Sequence, residues 1–391
     1  MRTCQLSTKR FGRNLAADGP AHGSTVTDID VHGWLRVRFE NAGASDLAAV
    51  AAALGLPLVS PSGTPALRVR YTDQVQAPDR GWSLGAGEAA FDDENFVLTR
   101  GRWGRPVAMN LPLPGLTGDC IDIVCEHGIG RPPLLTHLLN VAAVRAGGLA
   151  LHASAFEHEG HGVLVLGWSK GGKTELLLGA VARGARYVAD EWAYVPPNGR
   201  AVGGLGEPVR VWDWHLTSLP EYRHRLEPQD RARLRTFGTA VRALEGVSTR
   251  IGSRGDALRR ALVMLERQRH VDVRPGPLFD APEGPGRGPL DTVVLATVGR
   301  GSAIRAYEVD AEDVVLRAAA SLAHERAPLA EALNMARFAF PSRPWVSLEE
   351  LNAVETDRLR AVLSTKRVIR VEHPYPVPIE ASTDALLEAL H

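Results

Sequence analysis

The sequence predicts an α/β fold that is preceded by a β-rich α+β domain. Three observations support this prediction. Alternating and β-branched runs dominate residues 1–130, short apolar strands alternate with helices from residue 149, and a glycine-rich turn joins one such strand to a helix. A length of 391 residues is typical of two or three domains, and 45% hydrophobic residues suffice for packed cores.

The N-terminal part is predicted to consist mainly of strands. Gly, Pro and Asp separate four runs with strand-like patterns, at residues 33–41, 66–72, 90–101 and 119–127. A short helix is predicted near 45–54, and an apolar helix within 131–148 is stopped by a glycine pair. We therefore assign residues 1–130 to a first, β-rich domain.

Residues 131–345 are predicted to form the α/β domain. Its central unit is a buried strand at 162–167 followed by a helix at 172–184. The other predicted elements are strands at 149–158, 185–192 and 291–298 and helices within 310–338, broken near Pro328. Residues 346–391 complete the chain as a C-terminal extension with a helix and then a strand within 351–379.

Composition narrows the classes of partner. Lys plus Arg and Asp plus Glu both total 45, so no net charge favours nucleic acid or an anionic membrane. The N-terminus lacks the apolar core of a secretory signal, and no run approaches the ~18 apolar residues of a membrane helix. With only three cysteines, the chain is predicted to be cytoplasmic.

The glycine-rich turn matches the pattern G-x4-G-K-[ST] of a phosphate-binding loop. Glycines let backbone N–H groups surround phosphates, the lysine reaches the terminal phosphates, and the hydroxyl binds Mg²⁺. A chance turn is the alternative, but the strand directly before it and the helix directly after it favour the functional interpretation. The eight predicted nucleotide-binding residues are Gly167, Trp168, Ser169, Lys170, Gly171, Gly172, Lys173 and Thr174.

Two carboxylates and a histidine accompany this loop. Asp190 and Glu191 follow Thr174 by 16 and 17 residues, at the end of the next predicted strand, and His152 precedes Gly167 by 15 residues. One helix and one strand therefore carry the ammonium, the hydroxyl and both acids to one edge of the sheet.

At these positions the sequence resembles the catalytic domain of HPr kinase/phosphorylase. The resemblance rests on LHASA at 151–155, GWSKGGKTE at 167–175 and ARGARYVADEW at 182–192, and it covers about 45 residues. It implies a P-loop kinase domain of the HPr kinase C-terminal type, which is similar to PEP carboxykinase.

The resemblance also implies a mechanism with ATP and Mg²⁺. Thr174 and Asp190 would hold the metal, Glu191 would accept the proton of the attacking hydroxyl, and His152 would line the acceptor side. Which of the two acids is the base and which is the metal ligand stays open. Catalysis would also depend on Lys173.

The sequence departs from the family pattern at several positions. Glu191 stands where the family usually has Asp, and Ala153 stands where it has Gly. Ala201 replaces a downstream magnesium carboxylate, for which Glu207 is a candidate substitute. Because the arginine of the dephosphorylation reaction has no counterpart, we expect a one-way kinase.

The resulting hypothesis is a kinase that acts on a hydroxyl of a small molecule or of a serine in a peptide, in the manner of a biosynthetic tailoring enzyme. A non-catalytic, ATP-responsive binding protein and a slow ATPase are the alternatives. A homo-oligomer, and GTP or pyrophosphate in place of ATP, stay open.

Three further features have competing interpretations. Trp168 is either a stacking residue for adenine or a packing residue. His373, beside Pro374, is predicted to be an edge or turn residue. A basic helical face is interpreted as solvated, with an anionic substrate dock as the alternative; it comprises Arg259, Arg260, Arg267, Arg269 and His270.

Overall fold

A computed structural model of the protein shows a mixed α/β fold with several sheets. The described part of the chain contains 21 strands and twelve helices. No helix within it has both the length and the apolar character that a bilayer crossing requires. The described residues are 25–75, 81–85, 87–93, 95–99, 109–110, 120–251, 256–281, 286–343 and 347–391.

The N-terminal part forms a nine-stranded sheet in the order β3-β1-β2-β4-β9-β8-β7-β6-β5. Alternating side chains of its strands are buried, as expected for a sheet with one covered face. The predicted helix near 45–54 is α1, and the apolar helix is α2. The bounds are β1 Val26–Val31, β2 Leu35–Glu40, α1 Ala44–Leu54, β3 Leu58–Val59, β4 Leu67–Thr72, β5 Trp82–Leu84, β6 Ala89–Phe91, β7 Phe96–Leu98, β8 Met109–Asn110, β9 Ile121–Glu126 and α2 Leu135–Arg145.

The remaining strands form three further sheets. A six-stranded sheet has the order β13-β11-β12-β19-β21-β20, a four-stranded sheet has the order β10-β14-β15-β18, and β16 pairs with β17. The bounds are β10 Leu149–His152, β11 Ser154–His158, β12 His161–Gly167, β13 Arg186–Ala189, β14 Trp192–Val195, β15 Ala201–Gly204, β16 Val209–Trp212, β17 His270–Val273, β18 Arg287–Pro289, β19 Thr292–Val298, β20 Arg305–Glu308 and β21 Arg367–His373.

Helices cover both faces of the six-stranded sheet. Successive residues of a strand point to opposite faces, so Val163 and Val165 belong to the core on the α3 and α12 side. Leu164 and Leu166 belong to the core on the α9 and α11 side. The helices are α3 Lys173–Ala182, α4 His215–Ser218, α5 Tyr222–Arg225, α6 Pro228–Ile251, α7 Asp256–Glu266, α8 Pro275–Phe279, α9 Ala311–Glu325, α10 Ala327–Ala339, α11 Leu348–Leu363 and α12 Ile379–Leu390.

Two segments that were predicted as single strands are each divided between two sheets. The segment 149–158 breaks at Ala153 into β10 and β11, and the segment 185–192 ends as β13 at Ala189 before β14 begins. β10 pairs with β14, whereas β11 pairs with β13. Both chain segments therefore leave one sheet for the other at the same point, which an apolar pattern along one segment cannot reveal.

The predicted domain boundaries near residues 130 and 345 stay predictions. Strand β21 belongs to the predicted C-terminal extension, and it lies between β19 and β20 in the six-stranded sheet. Leu329 and Leu333 of α10 pack in the same core as the N-terminal sheet. Helix α12 follows β21 and was not predicted.

The N-terminal part contacts the segment after β15 through backbone atoms. The N–H of Gly206 donates to the carbonyl of Leu54 at 2.8 Å, and the ring of His32 lies 2.8 Å from the carbonyl of Gly204. Gly55 ends α1 with φ +61°, and a Cβ added there would lie 2.1 Å from the backbone of Gly206. This approach requires glycine at position 55.

We predict that Gly55→Ala destabilises the fold more than Gly63→Ala does. Gly63 has nearly the same φ, +60°, but a Cβ there meets only one atom, 3.9 Å away. Gly63→Ala is therefore expected to lower the free energy of unfolding only through left-handed strain, by about 1 kcal/mol. At position 55, overpacking lowers it by a further roughly 1–3 kcal/mol. Urea unfolding of the two variants measures the difference, and equal losses would contradict the close approach.

Candidate functional site

The glycine-rich turn connects the end of β12 to the start of α3. The Lys173 side chain is buried and donates to the carbonyls of Gly167 at 3.1 Å and Trp168 at 3.2 Å. The N–H of Gly171 donates to the carbonyl of Trp168 at 2.9 Å. The turn is therefore a compact loop around the lysine, at the positive end of a helix.

The glycines of the loop permit contacts that a side chain would block. A Cβ at Gly167 would lie 2.8 Å from the carbonyl oxygen of Ala296, and one at Gly171 would lie 2.8 Å from that of Trp168. Gly172 has φ +100°, and its Cβ would lie 2.5 Å from Nε2 of His373. The sequence pattern thus corresponds to a physical requirement of this loop.

The strand directions bring the acidic pair to the loop. Strand β11 pairs antiparallel with both β12 and β13, so β12 and β13 run in the same direction and end at the same edge. Asp190 follows β13 and is buried, and its two carboxylate oxygens lie 3.1 and 3.3 Å from Oγ1 of Thr174. The structure thus joins the predicted metal-binding hydroxyl to a predicted metal-binding carboxylate.

Glu191 occupies the bend between β13 and β14. Its φ of +66° is uncommon for a residue other than glycine, and the N–H of Ala153 donates to its carbonyl at 3.1 Å. Its carboxylate lies 3.1 Å from Nε2 of His152 and leaves 48% of the side chain exposed. The bend therefore directs Glu191 outward while Asp190 stays buried.

His152 lies between two carboxylates. Its Nε2 faces Glu191, and its Nδ1 lies 2.8 Å from Oε1 of Glu325, the last residue of α9. Burial opposes the charged ring, but the contacts with Glu191 and Glu325 outweigh it and raise the pKa of His152. Glu325 lies 173 positions from His152 along the chain, and no sequence pattern indicated it.

The surroundings of Asp190 and Glu191 shift the pKa values of their carboxyls in opposite directions. Burial, and then the charge of Glu191, raise the pKa of Asp190. The hydrogen bond with His152 outweighs burial and lowers the pKa of Glu191. Burial also lowers the pKa of Lys173, although the surrounding carboxylates oppose this change. Perturbed pKa values of this kind cluster at functional sites.

Glu207, the candidate substitute for the missing carboxylate, lies beside this group. Burial raises its pKa to about 7, against the opposing charge of Arg131. The guanidinium of Arg131 lies 3.8 Å from its carboxylate, and the charges of Glu191 and His152 also act on it. The segment before α2 thus contributes a positive charge near the predicted site.

A second carboxylate–histidine pair supports the start of α3. Nδ1 of His215 accepts from the N–H of Trp212 at 3.3 Å, so the proton of a neutral ring resides on Nε2, which lies 3.3 Å from Oε1 of Glu175. This contact lowers the pKa of Glu175 despite its burial. Helix α4 is thereby linked to the residue after Thr174.

A cavity of about 520 Å³ opens beside the loop. Its walls come from residues 167–171 of the loop, residues 295–298 at the end of β19, and residues 317, 318 and 320–322 of α9. Trp168 is 53% exposed and stacks on His324 with ring centroids 4.8 Å apart. Trp168 therefore packs against α9 at the cavity rim. Ser169 and Lys170 are exposed on the loop.

The prediction that His373 is an edge or turn residue is wrong. His373 is fully buried at the end of β21, which lies between two other strands. Its Nε2 lies 2.9 Å from the carbonyl of Gly171, and its Nδ1 lies 2.9 Å from that of Pro374. The neighbouring prolines suggested a turn, but parallel pairing with β19 brings this residue under the loop.

The arrangement combines a buried ammonium, two hard oxygen donors and an exposed carboxylate. Mg²⁺ prefers oxygen ligands and keeps several waters, so the Thr174 hydroxyl and the Asp190 carboxylate suit this ion. No protein-family model matches the chain, and no curated protein matches it either.

We predict that Glu325→Gln lowers the pKa of His152. The Glu325 carboxylate stabilises the charged ring, so its removal favours the neutral ring at a lower pH. An NMR titration of the histidine rings measures this change. Glu331→Gln, an exposed control on α10, is expected to leave the pKa of His152 unchanged; an unchanged value in Glu325→Gln would contradict the contact.

Proposed function

We propose that the protein is an ATP- and Mg²⁺-dependent kinase that transfers the γ-phosphate to a hydroxyl group. One observation carries the proposal: the Thr174 hydroxyl lies within 3.3 Å of both Asp190 oxygens. Thr174 directly follows the lysine of the glycine-rich loop, and Asp190 directly precedes the outward-facing carboxylate of Glu191. A P-loop kinase domain of the HPr kinase C-terminal type, with its similarity to PEP carboxykinase, is part of this proposal.

In the proposed complex the loop surrounds the phosphates of ATP. The N–H groups of residues 169–174 and the ammonium of Lys173 stabilise their negative charge. Thr174 and Asp190 would hold Mg²⁺, which would neutralise charge on the phosphate oxygens. Glu207 is buried nearby, where burial raises its pKa to about 7; a bound cation would favour its ionised form.

Glu191 is the proposed proton acceptor. The acceptor oxygen forms a bond to the γ-phosphorus, the bond from that phosphorus to the β–γ bridging oxygen breaks, ADP leaves, and the hydroxyl proton moves to the Glu191 carboxylate. Its side chain is 48% exposed, whereas Asp190 is buried against Thr174. This difference favours Glu191 as the base and Asp190 as the metal ligand.

The neighbouring groups position the base and the nucleotide. His152 and Glu325 hold the Glu191 carboxylate toward the acceptor side. The cavity of about 520 Å³ between the loop and α9 has a size suited to the base and ribose. A hydroxyl-bearing small molecule or a peptide serine is the acceptor class, as in a tailoring enzyme, and a cytoplasmic location suits the supply of ATP.

We predict that Lys173→Ala abolishes phosphate transfer and that Glu191→Gln retains ATP binding but turns over at least about 100-fold more slowly. The first variant removes the phosphate-binding charge, while the second removes only the proton acceptor. Calorimetry with ATP and Mg²⁺ measures binding. Mass spectrometry of candidate acceptors measures the gain of one phosphate, with Glu331→Gln as the control variant.

The outcomes separate the proposal from its alternatives. Normal turnover in Glu191→Gln would refute the assignment of the base. ATP binding without transfer to any acceptor would instead support an ATP-responsive binding protein, and release of phosphate to water alone would support a slow ATPase. If Mg²⁺ does not strengthen nucleotide binding, the proposal fails.

A further inference from the structure

A basic helical segment lies between strands β16 and β17. Residues 213–269 contain twelve arginines and no lysine against seven Asp and Glu, an excess of five positive charges in a chain of zero formal net charge. This segment holds helices α4 to α7 and includes most of the basic face noted in the sequence. The side chain of Arg259 lies outside the described part of the structure.

The strands that carry this segment border the candidate site. Arg210 of β16 pairs with Asp272 of β17, with Nε 2.9 Å from the carboxylate. After the hydrogen bond with His152, Arg210 is among the positive charges that lower the pKa of Glu191. At the start of α4, His215 contacts Glu175, next to Thr174. One direct contact, His215 with Glu175, and the charge of Arg210 beside the segment therefore connect this region to the site.

Three arginines of the segment surround one small cleft. Arg223, Arg231 and Arg235 line a cavity of about 20 Å³ together with Asp213, Leu216 and Leu234. Asp213 is already paired with Arg269. Among the described residues, no carboxylate forms an ion pair with any of the three guanidinium groups. The cleft thus concentrates uncompensated positive charge around a space that holds about one carboxylate oxygen or one water.

We propose that this arginine cleft binds an acidic side chain of a peptide acceptor and thereby holds the peptide beside Glu191. The inference rests on the proposed kinase function and assigns its acceptor class. Arginine binds carboxylates through directional, charge-assisted hydrogen bonds. Unpaired guanidinium groups near the site therefore favour a peptide with Asp or Glu near the serine.

The shape and charge of the surface favour a peptide over a nucleic acid. A nucleic acid presents a repeating series of phosphates and is bound by extended basic tracks. Here the arginines converge on one cleft of about 20 Å³, and acids elsewhere balance the total charge of the chain. A single-stranded oligonucleotide consequently serves as the competing probe.

The test measures binding to the full chain by fluorescence anisotropy. The probes are a labelled peptide with one serine and three Asp or Glu residues around it, the same peptide with Asn and Gln in their place, and a labelled single-stranded DNA of equal negative charge. We expect the acidic peptide to bind roughly tenfold more tightly than its neutral counterpart at low salt, since paired guanidinium groups contribute on this scale.

Two triple variants test the arginine cleft: one replaces its three arginines, and a control replaces three arginines elsewhere. Arg223→Gln, Arg231→Gln and Arg235→Gln together should reduce acidic-peptide binding roughly tenfold and leave neutral-peptide binding unchanged. The control replaces exposed arginines outside the segment and should keep the preference: Arg200→Gln, Arg300→Gln and Arg305→Gln. Circular dichroism checks folding. Arg223 and Arg235 are exposed, so the single variants provide the test if the triple variant does not fold.

Three results would overturn the inference: equal binding of both peptides, unchanged binding in the cleft variants, or tighter binding of the DNA than of the acidic peptide. Failure of the proposed kinase function gives a different result. In that case the acidic peptide binds through the cleft arginines but gains no phosphate from ATP and Mg²⁺.

Discussion

The candidate site depends on the hydrogen bond from the N–H of Ala153 to the carbonyl of Glu191. This bond joins two chain segments where both pass from one sheet to another. Its neighbours extend the connection, since His152 contacts the Glu191 carboxylate and the hydroxyl of Ser154 donates to the carbonyl of Lys173 at 2.8 Å. Three consecutive residues, His152, Ala153 and Ser154, therefore fix the bend at Glu191 and the glycine-rich loop relative to each other.

This arrangement gives two adjacent carboxyls different chemical properties. Asp190 is enclosed beside a hydroxyl, and burial raises its pKa despite the nearby ammonium of Lys173. Glu191 faces outward and is kept ionised by its histidine. Pairs of titratable groups whose surroundings separate their pKa values commonly divide two roles in catalysis. The left-handed backbone of Glu191 is the conformation that points neighbouring side chains in these different directions.

The sequence predicts the parts of the site that depend on local pattern. The strand, glycine-rich turn and helix were predictable because Gly167–Thr174 has its own spacing signal, and Asp190 and Glu191 were placed nearby by the strand that follows. Glu325, Arg210 and His373 reach the site through sheet order and helix packing, which leave no signal in neighbouring residues. The division of 149–158 and 185–192 was missed because buried strands in both sheets share one apolar pattern.

The contact between His373 and Gly171 joins residues 202 positions apart. During synthesis, the loop residues leave the ribosome long before this histidine exists. The pairing of β21 with β19 brings the ring to its carbonyl partner, and contacts over such sequence separations form slowly. A chain that ends before residue 373 therefore lacks the ring that supports the glycine-rich loop at the carbonyl of Gly171.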